Sequence, residues 1–212
     1  MKLAARLFLQ GPYSASGDTM STALRNYDLI PKTSPYPEDR RTVDAVPAAV
    51  TDWLLLQLRS SATGAVVASR SVLLRKDGRV VNDDAITEEV IIPSLEGEKD
   101  YYVVARHRNH VGVMSAAVQA LNSTTATDHD FTTGLDKYYG GDGKQLEVGC
   151  CGLYCGDANG NSWVNATDYS FVFGYIGFNG YSGSDINLNG WVNATDYNYI
   201  YGNIGVNSNI PK

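Results

Sequence analysis

Along the first 133 positions, apolar residues gather in short blocks of strand length, and no strong amphipathic helix interrupts them. The clearest block is Asp52-Trp53-Leu54-Leu55-Leu56-Gln57-Leu58-Arg59. Val66 to Arg75 follows a Thr63-Gly64 turn, and Lys76-Asp77-Gly78-Arg79 is a hairpin signal leading into Val80-Val81. Glu89 to Ile92, Tyr101 to Arg108, Val113 to Ala120 and His129 to Thr132 complete the set. Residues 1–10 read as the first strand and not as a signal peptide, because Arg6 breaks the apolar run and no cleavage site follows. Residues 14–50 read as a long irregular connection punctuated by Pro31, Pro35, Pro37 and Pro47, with a short helix over Met20 to Tyr27. Short strands at near-regular spacing predict a mainly β chain: an antiparallel β-sandwich, Ig-like or jelly-roll-like, over residues 1–133.

The pattern then changes twice. Residues 134–155 form a Gly- and Cys-rich junction. Residues 156–212 form a second unit with two short, aromatic-rich helices, Tyr169 to Tyr175 and Tyr197 to Asn203. From residue 150 onward there are four Asp, no Glu and one Lys, so half of the net charge of −6 sits in the smaller part. With 43% hydrophobic and 19% charged residues the chain fits a globular protein, and 14 Tyr and 21 Gly favour strands and turns. No long basic run supports nucleic-acid binding, and no segment is apolar enough to span a membrane. Glu88-Glu89 and the pair Glu96 and Glu98 read as solvated loop charges.

The four acids of the second unit stand in a repeat. DANGNSWVNATD begins at Asp157 and DINLNGWVNATD at Asp185, a period of 28 residues. Side-chain oxygens fall at positions 1, 3, 5, 9 and 12: Asp157, Asn159, Asn161, Asn165 and Asp168, then Asp185, Asn187, Asn189, Asn193 and Asp196. Position 7, Trp163 or Trp191, offers its backbone carbonyl. This is EF-hand ligand spacing, and it predicts two bound Ca2+ ions. Alternate residues of a tightly wound loop turn toward one point, and position 12 closes the shell from the first turn of the next helix. Such a unit is too small to bury much core alone, so calcium would supply stability by linkage. Gly190 at position 6 of the second loop, against Ser162 in the first, predicts that the second loop is better formed.

Asn165 and Asn193 also head N-glycosylation sequons, which calcium ligation would largely exclude; Asn122-Ser123-Thr124 is a third sequon, expected in a loop. The three cysteines offer one disulfide, Cys155 with Cys150 or Cys151, with one thiol left over; the alternative is three free thiols. His107 and His110, read along one strand, point to opposite faces and so share no metal without a bend at Asn109. No Gly-x-Ser-x-Gly elbow, His-Glu-x-x-His or phosphate loop is present, so no enzyme activity is expected. Trp53 and the Tyr-rich joint offer rings for stacking on a glycan, although Trp53 in an apolar strand reads better as core.

With these residues named, the C-terminal segment 156–206 resembles a type I dockerin, with two loops of the form D-x-N-x-N-G-x-V-N-x-x-D, each followed by a helix. Tyr169-Ser170 and Tyr197-Asn198 stand where dockerins carry Ser-Thr or Lys-Arg on the partner-facing helix. The stretches Val50 to Arg59 and Tyr101 to Ser115 resemble a β-sandwich module of bacterial hemagglutinin- or adhesin-like surface proteins. The resemblances imply a non-catalytic extracellular or cell-surface subunit, structural or adhesive, assembling with copies of itself. The alternative they imply is a docking module that binds a cohesin-like surface partner, with the sandwich as cargo or glycan binder.

Overall fold

The computed structural model describes residues 1–84, 86–93 and 99–212, so the acidic pair Glu96 and Glu98 lies outside the described residues. The chain is mainly β. Its elements are β1 (Lys2–Arg6), β2 (Tyr13–Ser14), β3 (Thr19–Met20), α1 (Ala23–Asn26), β4 (Val50–Arg59), β5 (Val66–Arg75), β6 (Val80–Val81), β7 (Val90–Ile91), β8 (Lys99–His107), β9 (His110–Met114), β10 (Gln119–Leu121), β11 (Thr127–Asp130), β12 (Lys144–Glu147), β13 (Cys150–Gly152), α2 (Ala166–Gly174) and α3 (Ala194–Asn203). The larger sheet has the order β10-β8-β4-β5-β6, with β9 also on β8; a smaller sheet has the order β11-β1-β7.

Two pairings depart from the expected pattern. β1 is antiparallel to β7 but parallel to β11, with Leu3 opposite Thr127. All of β4 to β10 lies between β1 and β11, ample for the long crossover that a parallel pair needs. The run Val113 to Ala120 is also not one strand. Ser115 Oγ accepts from Val103 N at 3.0 Å, taking the place of a ladder carbonyl, while Ala116 N turns away to Lys137 O at 2.9 Å. β9 and β10 therefore pair separately with β8.

One cluster forms the main core, with Leu3 and Ala5 from β1, Leu54, Leu56 and Leu58 from β4, Val72, Val103 and Leu121. Trp53, on the alternate face of β4, is wholly buried and donates its Nε1 to Pro31 O at 2.7 Å. It is core and is closed to any sugar. The expected junction is built into this body: Tyr138, Cys151 and Leu153 are buried in it, and Leu153 N donates to Phe8 O at 2.8 Å. Tyr138 is thereby also closed to a ligand. The acidic Glu88 and Glu89 meet Arg75 at 3.1 Å and Lys2 at 2.9 Å.

A second, smaller cluster joins Val164, Val172, Ile186, Val192 and Ile200 of the repeat to Val111 of β9 and Cys155. At about 1.5–3 kcal/mol per buried side chain, it cannot offset the cost of ordering the two loops and helices. All three cysteines are free, so the expected bridge from Cys155 is absent. Cys155 sits in the second cluster with Asn203 Nδ2 on its sulfur, whereas Cys150 and Cys151 belong to the main one. Among the described residues no helix is long and apolar enough to cross a membrane.

Candidate metal centre

Each loop is wound around its own acids. In the first, Asp157 accepts from Asn161 N at 2.9 Å and Ser162 N at 2.8 Å, and Asp168 accepts from Asn159 N at 3.1 Å and Asn165 N at 2.9 Å. Asn159 Oδ1 accepts from Asn161 N at 3.0 Å, and Asn161 Oδ1 from Trp163 N at 2.9 Å. The second loop repeats the pattern: Asp185 with Asn189 N and Gly190 N, Asp196 with Ile186 N, Asn187 N and Asn193 N, Asn187 with Asn189 N, and Asn189 with Trp191 N. Positions 1, 3, 5 and 12 are thus gathered at each loop by one local design.

Position 9 is not part of that gathering. Asn165 Oδ1 accepts from Thr167 N at 2.7 Å and Asn193 Oδ1 from Thr195 N at 2.8 Å, so both asparagines cap helices. With Asp168 and Asp196 answering at N3 they complete capping boxes. α2 and α3 therefore begin three residues before the expected starts, at Ala166 and Ala194. The cap also ties Nδ2, the glycan attachment atom, to the position-7 carbonyl of Trp163 or Trp191. Asn122 Oδ1, in its loop, holds Thr124 N and Thr125 N.

The donor set fits calcium. Two carboxylates, two amide oxygens and the position-7 carbonyl give seven oxygens per loop, within the roughly 6–8 that calcium takes. The four carboxylates are buried. Burial, reinforced by the second acid of the same loop, pushes Asp157 and Asp185 up to about 6. Asp196 is also raised by burial. Among the described residues no Lys, Arg or His forms an ion pair with any of the four; Arg106 and Arg108 act on Asp157 and Asp185 only from a distance. Among the described residues no group of three or more His, Cys, Asp or Glu is placed to hold a metal; each loop brings two carboxylates, and its other donors are amide and backbone oxygens.

The glycine comparison between loops has a different outcome from the expected one. Both loops need left-handed backbone at positions 4 and 6. The first has Gly160 at φ +73° and Ser162 at +66°; the second has Leu188 at +59° and Gly190 at +84°. Each carries one glycine and one strained residue. Position 6 alone hid this balance.

What separates the loops is attachment. Leu188 is buried in the main core. Asn109 Nδ2 donates to Asp185 O at 2.6 Å, and a Cβ on Gly11 would lie 2.0 Å from Ile186 O. The first loop lies nearer solvent, with Asn161 exposed. Asp185→Ala would strand the buried Gly190 N–H; Asp157→Ala would strand the half-buried Ser162 N–H, which water can reach. We expect Asp185→Ala to cost about 3–5 kcal/mol and Asp157→Ala some 1–2 kcal/mol less. Thermal melts in excess calcium measure this, and equal losses would reject the ranking.

The attachment runs through a buried polar network that sequence reasoning missed. β8 and β9 form a hairpin whose base pair is His107 opposite His110, so the two histidines meet, with ring centroids 4.9 Å apart. Reading them along one strand gave opposite faces; a turn at Arg108-Asn109 reverses the chain between them. Gly11 N donates to His110 Nε2 at 3.2 Å. His110 Nδ1 then carries the proton, facing Asn109 Oδ1 at 2.8 Å and His107 Nδ1 at 3.1 Å. His107 Nε2 in turn faces Asp52 Oδ2 at 3.2 Å. Burial lowers both histidines, which stay neutral. Arg108 Nε reaches Asp52 Oδ2 at 2.9 Å, its guanidinium lies 4.2 Å from the Tyr181 ring centre and also bonds Ser182 O, and Tyr181 OH donates to Asp52 Oδ1 at 2.8 Å. Burial raises Asp52, but Arg108, His107 and Tyr181 outweigh it and hold it at about 2. The available signal was an acid at the head of an apolar strand and a His-Arg-Asn-His turn.

No protein-family model matches the chain, and no curated protein matches it. Two solved chains align along nearly its full length. One comes from the crystal structure of an N-terminal interface mutant of a type II cohesin–X–dockerin complex from Acetivibrio cellulolyticus, at 13% identity and TM-score 0.46, covering 96% of each chain. The other comes from a C-terminal interface mutant of that complex, at 14% identity and TM-score 0.46, covering 97% of this chain and 96% of that one. At this similarity neither alignment assigns a fold family or a partner to the present chain.

Proposed function

We propose that this chain is a non-catalytic extracellular building block whose dockerin-like C-terminal repeat binds two calcium ions, which fold the helix pair and fix it to the β body. The observation that carries the reading is the duplicated set of buried acids and amides, each set wound in one loop with no ion pair to its acids among the described residues. Calorimetric titration of chelator-treated protein tests it. Two calcium ions per chain are expected, bound at least tenfold more tightly than magnesium, which prefers stricter octahedral sites; no calcium binding sinks the reading.

A second role, docking to a protein partner, is favoured by an asymmetry between the repeats. On α3, Asn203 is buried against the body, with Nδ2 on Gln10 Oε1 at 2.8 Å and Cys155 O at 2.9 Å. Its equivalent one repeat earlier, Tyr175, is exposed between Phe171 and Phe178, at ring distances of 5.6 and 5.8 Å. One helix face is taken by the body and its counterpart is open. Sedimentation of the calcium-loaded chain separates assembly with itself from docking elsewhere: a concentration-dependent oligomer abolished by Tyr175→Ser supports self-assembly, and a monomer at all concentrations rejects it.

A further inference from the structure

The two loops also differ in what lies beside them. Asn161 and Asn207 line a small cleft of about 130 Å³ with Arg59, Arg106 and the C-terminal residues Ile210 and Pro211. Arg59 donates to Pro211 O at 2.7 Å, and Ser208 N donates to Ser162 O at 2.9 Å, so the chain's own end fills that side. The 28-residue repeat relates Asn161 to Asn189, one period later, and Asn207 to Asn179, one period earlier. Asn189 and Asn179 line an open cleft of about 650 Å³ with Ala23, Tyr27, Leu29 and Trp191. No tail enters it. Tyr27 is 68% exposed and Trp191 50% exposed.

We propose that this cleft between α1 and the second loop binds a neutral oligosaccharide. Every lining residue is uncharged, so the cleft offers no partner to a phosphate, a uronate or an acidic peptide. Two exposed rings supply flat apolar faces of the kind on which the C–H face of a pyranose stacks. Asn189 turns its carbonyl oxygen to Trp191 N at 2.8 Å, leaving its NH2 group as a donor, and Asn179 adds a second amide. The volume lies within the roughly 300–1,000 Å³ usual for ligand sites, and an open form suits a chain entering from the side. The inference rests on the calcium reading in one respect. Asn189 and Trp191 are positions 5 and 7 of the second loop, so calcium would set the position of both.

The test is calorimetry of the whole calcium-loaded chain against neutral hexasaccharides of glucose, xylose, mannose and N-acetylglucosamine, with a hexagalacturonate as charged control. At least one neutral sugar should bind, and Trp191→Ala and Tyr27→Ala should each weaken it about tenfold or more. Tyr27 lies outside both loops, so the calcium stoichiometry of Tyr27→Ala should stay at the wild-type value. Chelation should weaken sugar binding in the wild type. A calcium-loaded wild type that binds no neutral sugar at about 5 mM overturns the proposal and leaves the calcium reading intact. Binding untouched by both substitutions, binding of the acidic control alone, or a dimer seated in the cleft and broken by Tyr27→Ala also overturns it. A wild type that takes up no calcium yet binds sugar through Trp191 supports the cleft and rejects the calcium reading.

Discussion

Adding a chelator to the purified protein is expected to lower its melting temperature by about 15–30 °C. A ligand at a thousand times its Kd stabilises the folded state by about 4 kcal/mol per site. For a chain of 212 residues each kcal/mol corresponds to about 2–4 °C, and there are two sites. The apolar side of the ledger explains the dependence: the repeat brings few side chains to the second cluster and borrows Val111 and Cys155 from the body. Without calcium its loops hold four buried acids, none in an ion pair with a cation among the described residues. The loss should also reach the β body, because Leu188 of the second loop is part of the main core. Scanning calorimetry with and without chelator reads both parts, and an unchanged melt would exclude structural calcium.

Asp52→Ala should destabilise the protein by about 3–5 kcal/mol at neutral pH, the range for removing one partner of a buried ion pair. The Arg108 guanidinium would remain buried without its carboxylate, and Tyr181 and His107 would lose their shared acceptor. The same change should weaken calcium at the second loop, because Arg108 and Asn109 hold Ser182 and Asp185 by their carbonyls. The pH dependence follows from the shifts. Asp52 is lowered from 3.8 to about 2, so its contribution is complete above pH 3.8 and is lost as pH falls toward 2. His107 and His110 are lowered from 6.5, so the unfolded chain gains protons first and stability already declines as pH drops below 6.5. Urea melts from pH 7 to pH 2 measure both phases. In Asp52→Ala the lower phase should shrink, and a variant within about 1 kcal/mol of wild type would show that the network does not hold the joint.

Most of the strands were legible in local pattern. Val66 to Arg75 is found with the expected ends, and Val50–Arg59 extends the expected run by two residues. The loops were legible because ligand spacing within twelve residues is a local property, as are the caps that follow them. Even there Asn165 and Asn193 went to the helices, since a side-chain oxygen before a helix meets a free N–H at N2 before it meets anything else. The left-handed positions at Ser162 and Leu188 could not be weighed from one glycine, because the compensation for Leu188 is a core made by residues far along the chain.

The sequence by itself therefore determined which short segments extend, which turn and where oxygens cluster, because alternation, turn chemistry and ligand spacing act over a few bonds. The tertiary structure alone decided the parallel partner of β1, the meeting of His107 with His110 and the joining of Asp52 to Tyr181 across 129 positions. It also decided that one loop is sunk in the body beside an open aromatic cleft while its twin is covered by the chain's own end. These depend on which surfaces exclude water together, and no local pattern encodes that. The twelve-residue repeat is nearly the same in both copies; burial makes them different.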